Sequence, residues 1–425
     1  MKRRIRSILL TALLVVSLCS GCGDKTIITS SDEQIEISLS WWGNDARHEY
    51  TLAAVKEFER IHPEIKVNCQ YSDWSGYQQR SDAQMAANIE ADVMQINYAW
   101  IQQYSPDGDG FYDINTLSDY IGLANFSEEE LNFGMQNGKL NAIPIALNTQ
   151  TVYINQSVYE SYGLEIPKTW DDFFHAAEVM DGETYPFSMT AKSLWFFSIA
   201  YAEQQTGKQF MTLDGELVFT PEDIQIMIDF YCRLIQENVV PQPEYYDSLK
   251  VSTGEYAGTL AWISDATNHC GKAIENGYEM VVSDYIITDT AKVSDGWYAK
   301  PATMYAISKN TEYPEETAML LDFLLNSGEM AKLQGLEKGV PVSTSARTCL
   351  EENDMLSGIQ YKAFLKMNEY AEGIAVVSPY LENDTMIDEF RNSCNEVLFD
   401  KSDIEDASNA LYVSLKETLV KAKEY

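Results

Sequence analysis

Apolar and polar positions change period several times along this chain. IEISLSWW, residues 35–42, alternates them as a half-buried strand does. The next segment, ARHEYTLAAVKEFERIH, sets Tyr50, Ala53, Ala54, Phe58 and Ile61 at helical spacing, and Pro63 stops it. IKVNCQYS reads as a second strand, SGYQQRSDAQMAANIE as a helix and ADVMQINY as a third strand. Such strand–helix–strand repetition predicts a parallel sheet with right-handed crossovers. KLNAIPIALNTQTVYINQSVYESYGL then predicts a strand, a turn carrying Asn148, another strand and a helix closed by Gly163. PKTWDDFFHAAEVM is a helix entered through Pro167 and Thr169. Residues 192–206 and 220–237 read as amphipathic helices, the second opening with the N-cap signature TPED. GTLAWIS (258–264) and MYAISKN (304–310) are further strands, the latter followed by the helix YPEETAMLLDFLLNS, and the rest of the chain is mainly helical. Ligands of open parallel sheets sit at the carboxyl ends of strands, where Trp42, Asn97, Asn148 and Asp265 then fall.

The beginning of the chain breaks this alternation. MKRRIRS is a basic stretch, ILLTALLVVSL is too short for a comfortable membrane span, and CSGC supplies small residues before Cys22. This resembles a bacterial lipoprotein signal, in which a peptidase cuts before a cysteine that carries a diacylglyceryl group. Ser20, Gly21 and Cys22 match; the leucine usual three residues before the cut is replaced by Cys19, with Leu18 one further back. An ordinary cleaved secretion signal is the alternative. Residues 1–21 are thus expected to be the signal peptide and 22–33 a polar tether, holding the protein on the outer face of the cell membrane through a lipid at Cys22.

Composition narrows the function. A chain of 425 residues is too long for one ordinary core, so two lobes are expected. The formal charge of −35 argues against nucleic acid and against anionic lipid as partners of the body of the protein. Cys69, Cys232, Cys270, Cys349 and Cys394 lie far apart without a CxxC and read as small buried thiols, so no metal is expected. No GxSxG, P-loop or GxGxxG occurs, and the four histidines show no HExxH spacing. No cofactor is expected, and no enzyme signature stands out. A glycoside-active enzyme stays open, because it needs only two carboxylates about 5–9.5 Å apart, and 65 acidic residues supply many chance pairs.

The chain resembles the extracellular solute-binding proteins of ABC importers, in particular the carbohydrate-uptake group. The resemblance rests on ISLSWWGNDARHEYTLAAVKEFERIHPEIKV, ADVMQINYAWIQQYS, IPIALNTQTVYINQ followed by PKTWDDF, GTLAWIS and MYAISKNTEYPEETAMLLDFLLNSGEMAKL. It implies an α/β fold of the two-lobe periplasmic-binding-protein type (type II), with discontinuous lobes, a hinge and a ligand cleft between them. Carried over, lobe 1 is 34–145 plus 303–340, and lobe 2 is 146–302 plus 341–425. It also implies a monomer that closes on a sugar, mono- or oligosaccharide, and delivers it to ABC permease subunits. A peptide or another small polar solute is the alternative ligand.

A sugar needs aromatic platforms for its C–H faces and polar side chains for its hydroxyls. The chain has 8 Trp and 26 Tyr, several of them beside amides or carboxylates. Trp42, Asn44 and Arg47 follow the first strand, and Trp74 adjoins Asp73. Arg47 offers a planar fork for two hydroxyls or a uronate carboxylate. The family pattern implies Asn97, Trp100 and Asn148 as further contacts, with Trp195, Asp265 and Tyr380 from lobe 2. Trp262 reads as core, and Trp297 and Tyr298 as hinge packing or cleft wall. Alternation along the strand points Trp41 away from Trp42, toward the core.

Overall fold

The structure, a computed structural model, describes residues 34–288 and 295–423. The signal peptide, the tether and Cys22 lie outside the described residues. Among the described residues, no helix is long and apolar enough to cross a membrane.

The main sheet has eight strands: β1 (Ile35–Trp42), β2 (Ile65–Ser72), β3 (Val93–Ile96), β4 (Ala142–Asn155), β5 (Gly258–Trp262), β6 (Met280–Val282), β7 (Trp297–Ile307) and β8 (Ile374–Val376). Its order is β2-β1-β3-β7-β4-β5, with β8 added on β7 and β6 on β4. The β1–β2, β1–β3 and β7–β8 pairings are parallel, but β3–β7, β7–β4, β4–β5 and β4–β6 are antiparallel. The sheet is therefore mixed rather than parallel throughout.

Two long strands serve both lobes. The first half of β4, Ala142–Thr149, pairs with β7, and the second half leaves β7 for β5 and β6. In the same way β7 pairs with β8 at Trp297–Ala299 and with β3 at Met304–Ile307. No turn interrupts β4 at Asn148, against expectation. The polar run Asn148, Thr149, Gln150 and Thr151 is buried, because the strand passes there from one core to the other. The register of β4 on β7 slips near Pro144, whose ring nitrogen has no proton to donate to the ladder. β7 likewise starts well before the expected strand, since WYAKPAT belongs to the second lobe.

Each lobe has its own apolar core. In the first, Leu39, Phe58, Val93, Tyr305 and Leu320 cluster, and Tyr77, Trp100 and Met304 form a second cluster. In the other, Trp170, Trp195, Phe197, Phe230 and Trp297 gather with helices 191–206 and 221–236. Val342 joins the core of the first lobe and Val340 that of the second, so residues 340–342 run along the hinge beside β4. The helix Thr344–Glu352 packs back on the helix Gly328–Gln334, and Gly358–Glu369 packs in the second lobe against helix 266–275. Cys232, Cys270 and Cys394 are buried, and Cys69 and Cys349 half-buried.

Candidate ligand-binding cleft

β1 delivers two tryptophans to opposite faces of the sheet. Trp41 is 0% exposed, stacks on Tyr71 at 4.8 Å and donates its indole N–H to His48 Nδ1 at 3.1 Å. Trp42 faces the other way, edge-on to Trp74 at 4.9 Å and tilted over Tyr77 at 5.3 Å. Tyr77 is locked by donating its hydroxyl proton to the Gln95 carbonyl at 2.6 Å. The helix α2 (Trp74–Ala87) begins where the Asp73 carboxylate accepts the Gly76 N–H at 2.9 Å. That cap leaves Trp74 on the lip, 40% exposed and stacked on Trp100 at 5.9 Å with 23° between planes. Asn97 follows β3 directly, and its Oδ1 accepts the Ala99 N–H at 3.0 Å.

Trp74, Asn97 and Trp100 form one wall of a cavity of about 890 Å³ between the lobes. Gln78, Gln102 and Gln103 stand beside them. The facing wall holds Tyr380, Glu382 and Lys192, and Lys300 of β7 also lines the cavity. A smaller cavity of about 270 Å³ shares Gln102 and Pro379 with it and extends between Tyr98 and Phe133 on one side and Leu213 and Val376 on the other.

Two lysines converge on one carboxylate in this facing wall. Lys192 Nζ lies 2.6 Å from Glu382 Oε1, and Lys300 donates to Oε2. Lys300 also rests over the Trp262 ring at 4.6 Å. Burial pulls the Lys300 pKa down, against the pull of Glu382. Burial alone would raise the Glu382 carboxyl, but Lys300 and Lys192 outweigh it and hold it below its ordinary value. Lys423, near the end of the last helix, stands 5.8 Å over the Tyr380 ring.

The sequence-derived candidates divide. Trp74, Asn97, Trp100 and Tyr380 come together on the cavity, with Trp42 behind Trp74 and Trp100 as support. Asn44 is the N-cap of the helix α1 (Asp45–Ile61), accepting the Arg47 N–H at 3.0 Å. Arg47 donates to the Glu337 carbonyl at 2.8 Å. Asn148 is buried and binds Ser264 twice, donating to its hydroxyl at 2.9 Å and accepting its N–H at 3.2 Å. Asp265 accepts from Asn268 at 3.4 Å, outside the cavity lining. Trp195 is 0% exposed, between Phe210 and Phe390, with its indole N–H on the Leu381 carbonyl. It is core, because the helix 191–206 turns that face inward. Trp297 and Tyr298 are also core, whereas Trp262 is half-buried beneath Lys300. Sequence reasoning missed Lys192, Lys300, Glu382, Gln78 and Lys423. The lone lysine in the otherwise uncharged WYAKPAT was the one available signal.

A sequence profile of bacterial extracellular solute-binding proteins matches residues 53–356. A putative binding protein of Brucella abortus is 25% identical over 302 residues, 68% of this chain and 71% of that protein. Among solved structures, a periplasmic solute-binding protein of Pectobacterium atrosepticum is 28% identical with a TM-score of 0.84, over 91% of this chain and 99% of the other. A periplasmic oligogalacturonide-binding protein of Yersinia enterocolitica, solved with saturated digalacturonic acid, is 29% identical with a TM-score of 0.80, over 92% and 100%. With the profile spanning most of its length, the chain belongs to the bacterial extracellular solute-binding proteins.

Proposed function

We propose that this protein is the extracytoplasmic carbohydrate-binding component of an ABC importer. It captures an oligosaccharide between its lobes and presents the closed form to a membrane permease. The observation that carries this is the exposed face of Trp74, backed by the buried Trp100 and flanked by Asn97, Gln78, Gln102 and Gln103, on a cavity large enough for more than one sugar ring. Indole faces suit the C–H faces of a sugar, and neutral amides both donate to and accept from its hydroxyls. The binding of an oligogalacturonide by the Yersinia relative supports the same reading.

The hinge follows from the strands. β4, β7 and residues 340–342 run between the cores, so a rotation there moves one wall toward the other. Ligand drives that closure only through contacts that the closed state adds. The protein acts by binding rather than turnover, as a monomer held to the membrane by a lipid at Cys22.

A melting-shift panel of oligosaccharides, monosaccharides and peptides tests the assignment. At least one oligosaccharide raises the melting temperature, and peptides leave it unchanged. A shift with peptides and with no saccharide would replace the carbohydrate reading by a peptide one.

A further inference from the structure

We infer that Lys192 and Lys300 form a subsite for a carboxylate, so that the saccharide taken by this cleft is acidic, a uronate-bearing one. This rests on the carbohydrate reading and names the class of sugar. The chain has 30 cationic and 65 acidic side chains, yet the large cavity reverses that balance. Its lining includes Lys192, Lys300 and Lys423 against Glu382 and Asp384. No charged side chain of the first lobe lines it. The positive charge is therefore gathered on one wall, opposite the aromatic platforms.

The lysines exceed what the fold needs. One ammonium satisfies one carboxylate, but Glu382 carries two, brought from separate elements. Lys192 comes from the first turn of helix 191–206, and Lys300 from the hinge strand β7. Lys300 has only 15% of its side chain exposed, and its charge lies in the interior with the shared Glu382 carboxylate, the Trp262 ring and, less directly, Asp265 to balance it. The triad of Lys192, Lys300 and Glu382 by itself carries one net positive charge beside the cavity; Asp265 offsets part of the Lys300 charge, and Asp384 and Lys423 on the lining balance each other. An ammonium has three donors, so Lys192, 34% exposed, still has protons to offer toward the cleft. A ligand carboxylate placed there completes the charge balance. A neutral sugar leaves the excess charge partly desolvated and unpaired when the lobes close, which selects against it.

Calorimetric titration of the mature chain with a digalacturonate and with its uncharged methyl ester tests this directly. The acid is expected to bind at least about tenfold more tightly than the ester, a preference that shrinks as salt is raised. Lys192→Met, checked for an intact melting transition, should cost about tenfold or more in affinity for the acid and markedly less for the ester. Lys300→Met, checked for an intact melting transition, should behave alike. Equal affinity for acid and ester, or an unchanged acid affinity in Lys192→Met, overturns the carboxylate subsite while leaving carbohydrate binding in place. Failure of every saccharide in the panel, neutral or acidic, overturns both.

Discussion

The first lobe brings two of its tryptophans to the cleft, whereas the second lobe buries most of its own and puts lysines there instead. Trp74 is 40% exposed and Trp100 lines the cavity beside it. Trp170, Trp195 and Trp297 are packed in the other core, and that lobe presents Lys192, Lys300 and Tyr380. The same residue type therefore does two jobs, decided by whether the local element turns it inward. Helix 191–206 is buried over most of its length, so Trp195 has nowhere to point but the core. α2 starts on the lip, with few buried residues, and leaves Trp74 in the open. In the proposed binding mode one wall takes apolar sugar faces, which salt does not screen, and the other takes charge, which salt does screen.

The comparison is broken most severely at Trp195. Trp195→Ala should lower stability by about 3–5 kcal/mol, measured by urea unfolding, as for other large buried side chains. A small loss of stability together with lost ligand affinity would instead place Trp195 in the cleft.

A second contrast lies between two buried lysines. Lys300 has a carboxylate partner; Lys338, 2% exposed, donates to the Tyr305 hydroxyl at 2.9 Å and feels the Arg47 charge. Burial first, then Arg47, pull its pKa from 10.5 down to about 7. The unfolded chain holds this proton up to about 10.5, so between pH 7 and 10.5 it binds more protons than the folded chain. This lysine therefore makes stability rise with pH across that window, and its penalty is full below pH 7. At about 1.4 kcal/mol per pH unit the penalty is on the order of a few kcal/mol. Lys338→Met should melt above the wild type at pH 6, with the margin closing toward pH 10. A variant that melts lower at pH 6 would show that the lysine is not a burden there.

The smallest effect is expected at Asn44. Its side chain caps α1, so Asn44→Ala should cost about 1 kcal/mol of stability and nothing in ligand affinity. Lost affinity without lost stability would return Asn44 to the binding site.

The order from β1 to β3 was legible because the segments through β2 turn one face inward and carry a single period, and β3 is a short run buried throughout. β4 was not. Its LNTQT run looks like a turn in isolation, yet Asn148 is buried and satisfied by Ser264, which is distant in sequence. The first half of β7 was hidden for the same reason. Of the residues lining the cavity, Trp74, Asn97, Trp100 and Tyr380 had been singled out from aromatics near polar residues and from the family pattern. The lysines were not, because Lys192, Lys300 and Glu382 belong to three separate elements and become a cluster only when folded. Trp41 and Trp42 were separable by strand alternation alone, and the stacking of Trp41 on Tyr71 accords with it.

The most direct test of the account is calorimetry of the wild type and Trp74→Ala, side by side, with an oligosaccharide that shifts the melting temperature. Trp74 is 40% exposed, so its loss should lower the melting temperature of the free protein much less than loss of a core tryptophan such as Trp195. The account predicts one site in the wild type and a loss of about 1–3 kcal/mol of binding free energy in the variant. Unchanged affinity in Trp74→Ala would contradict the placement of the sugar on this wall.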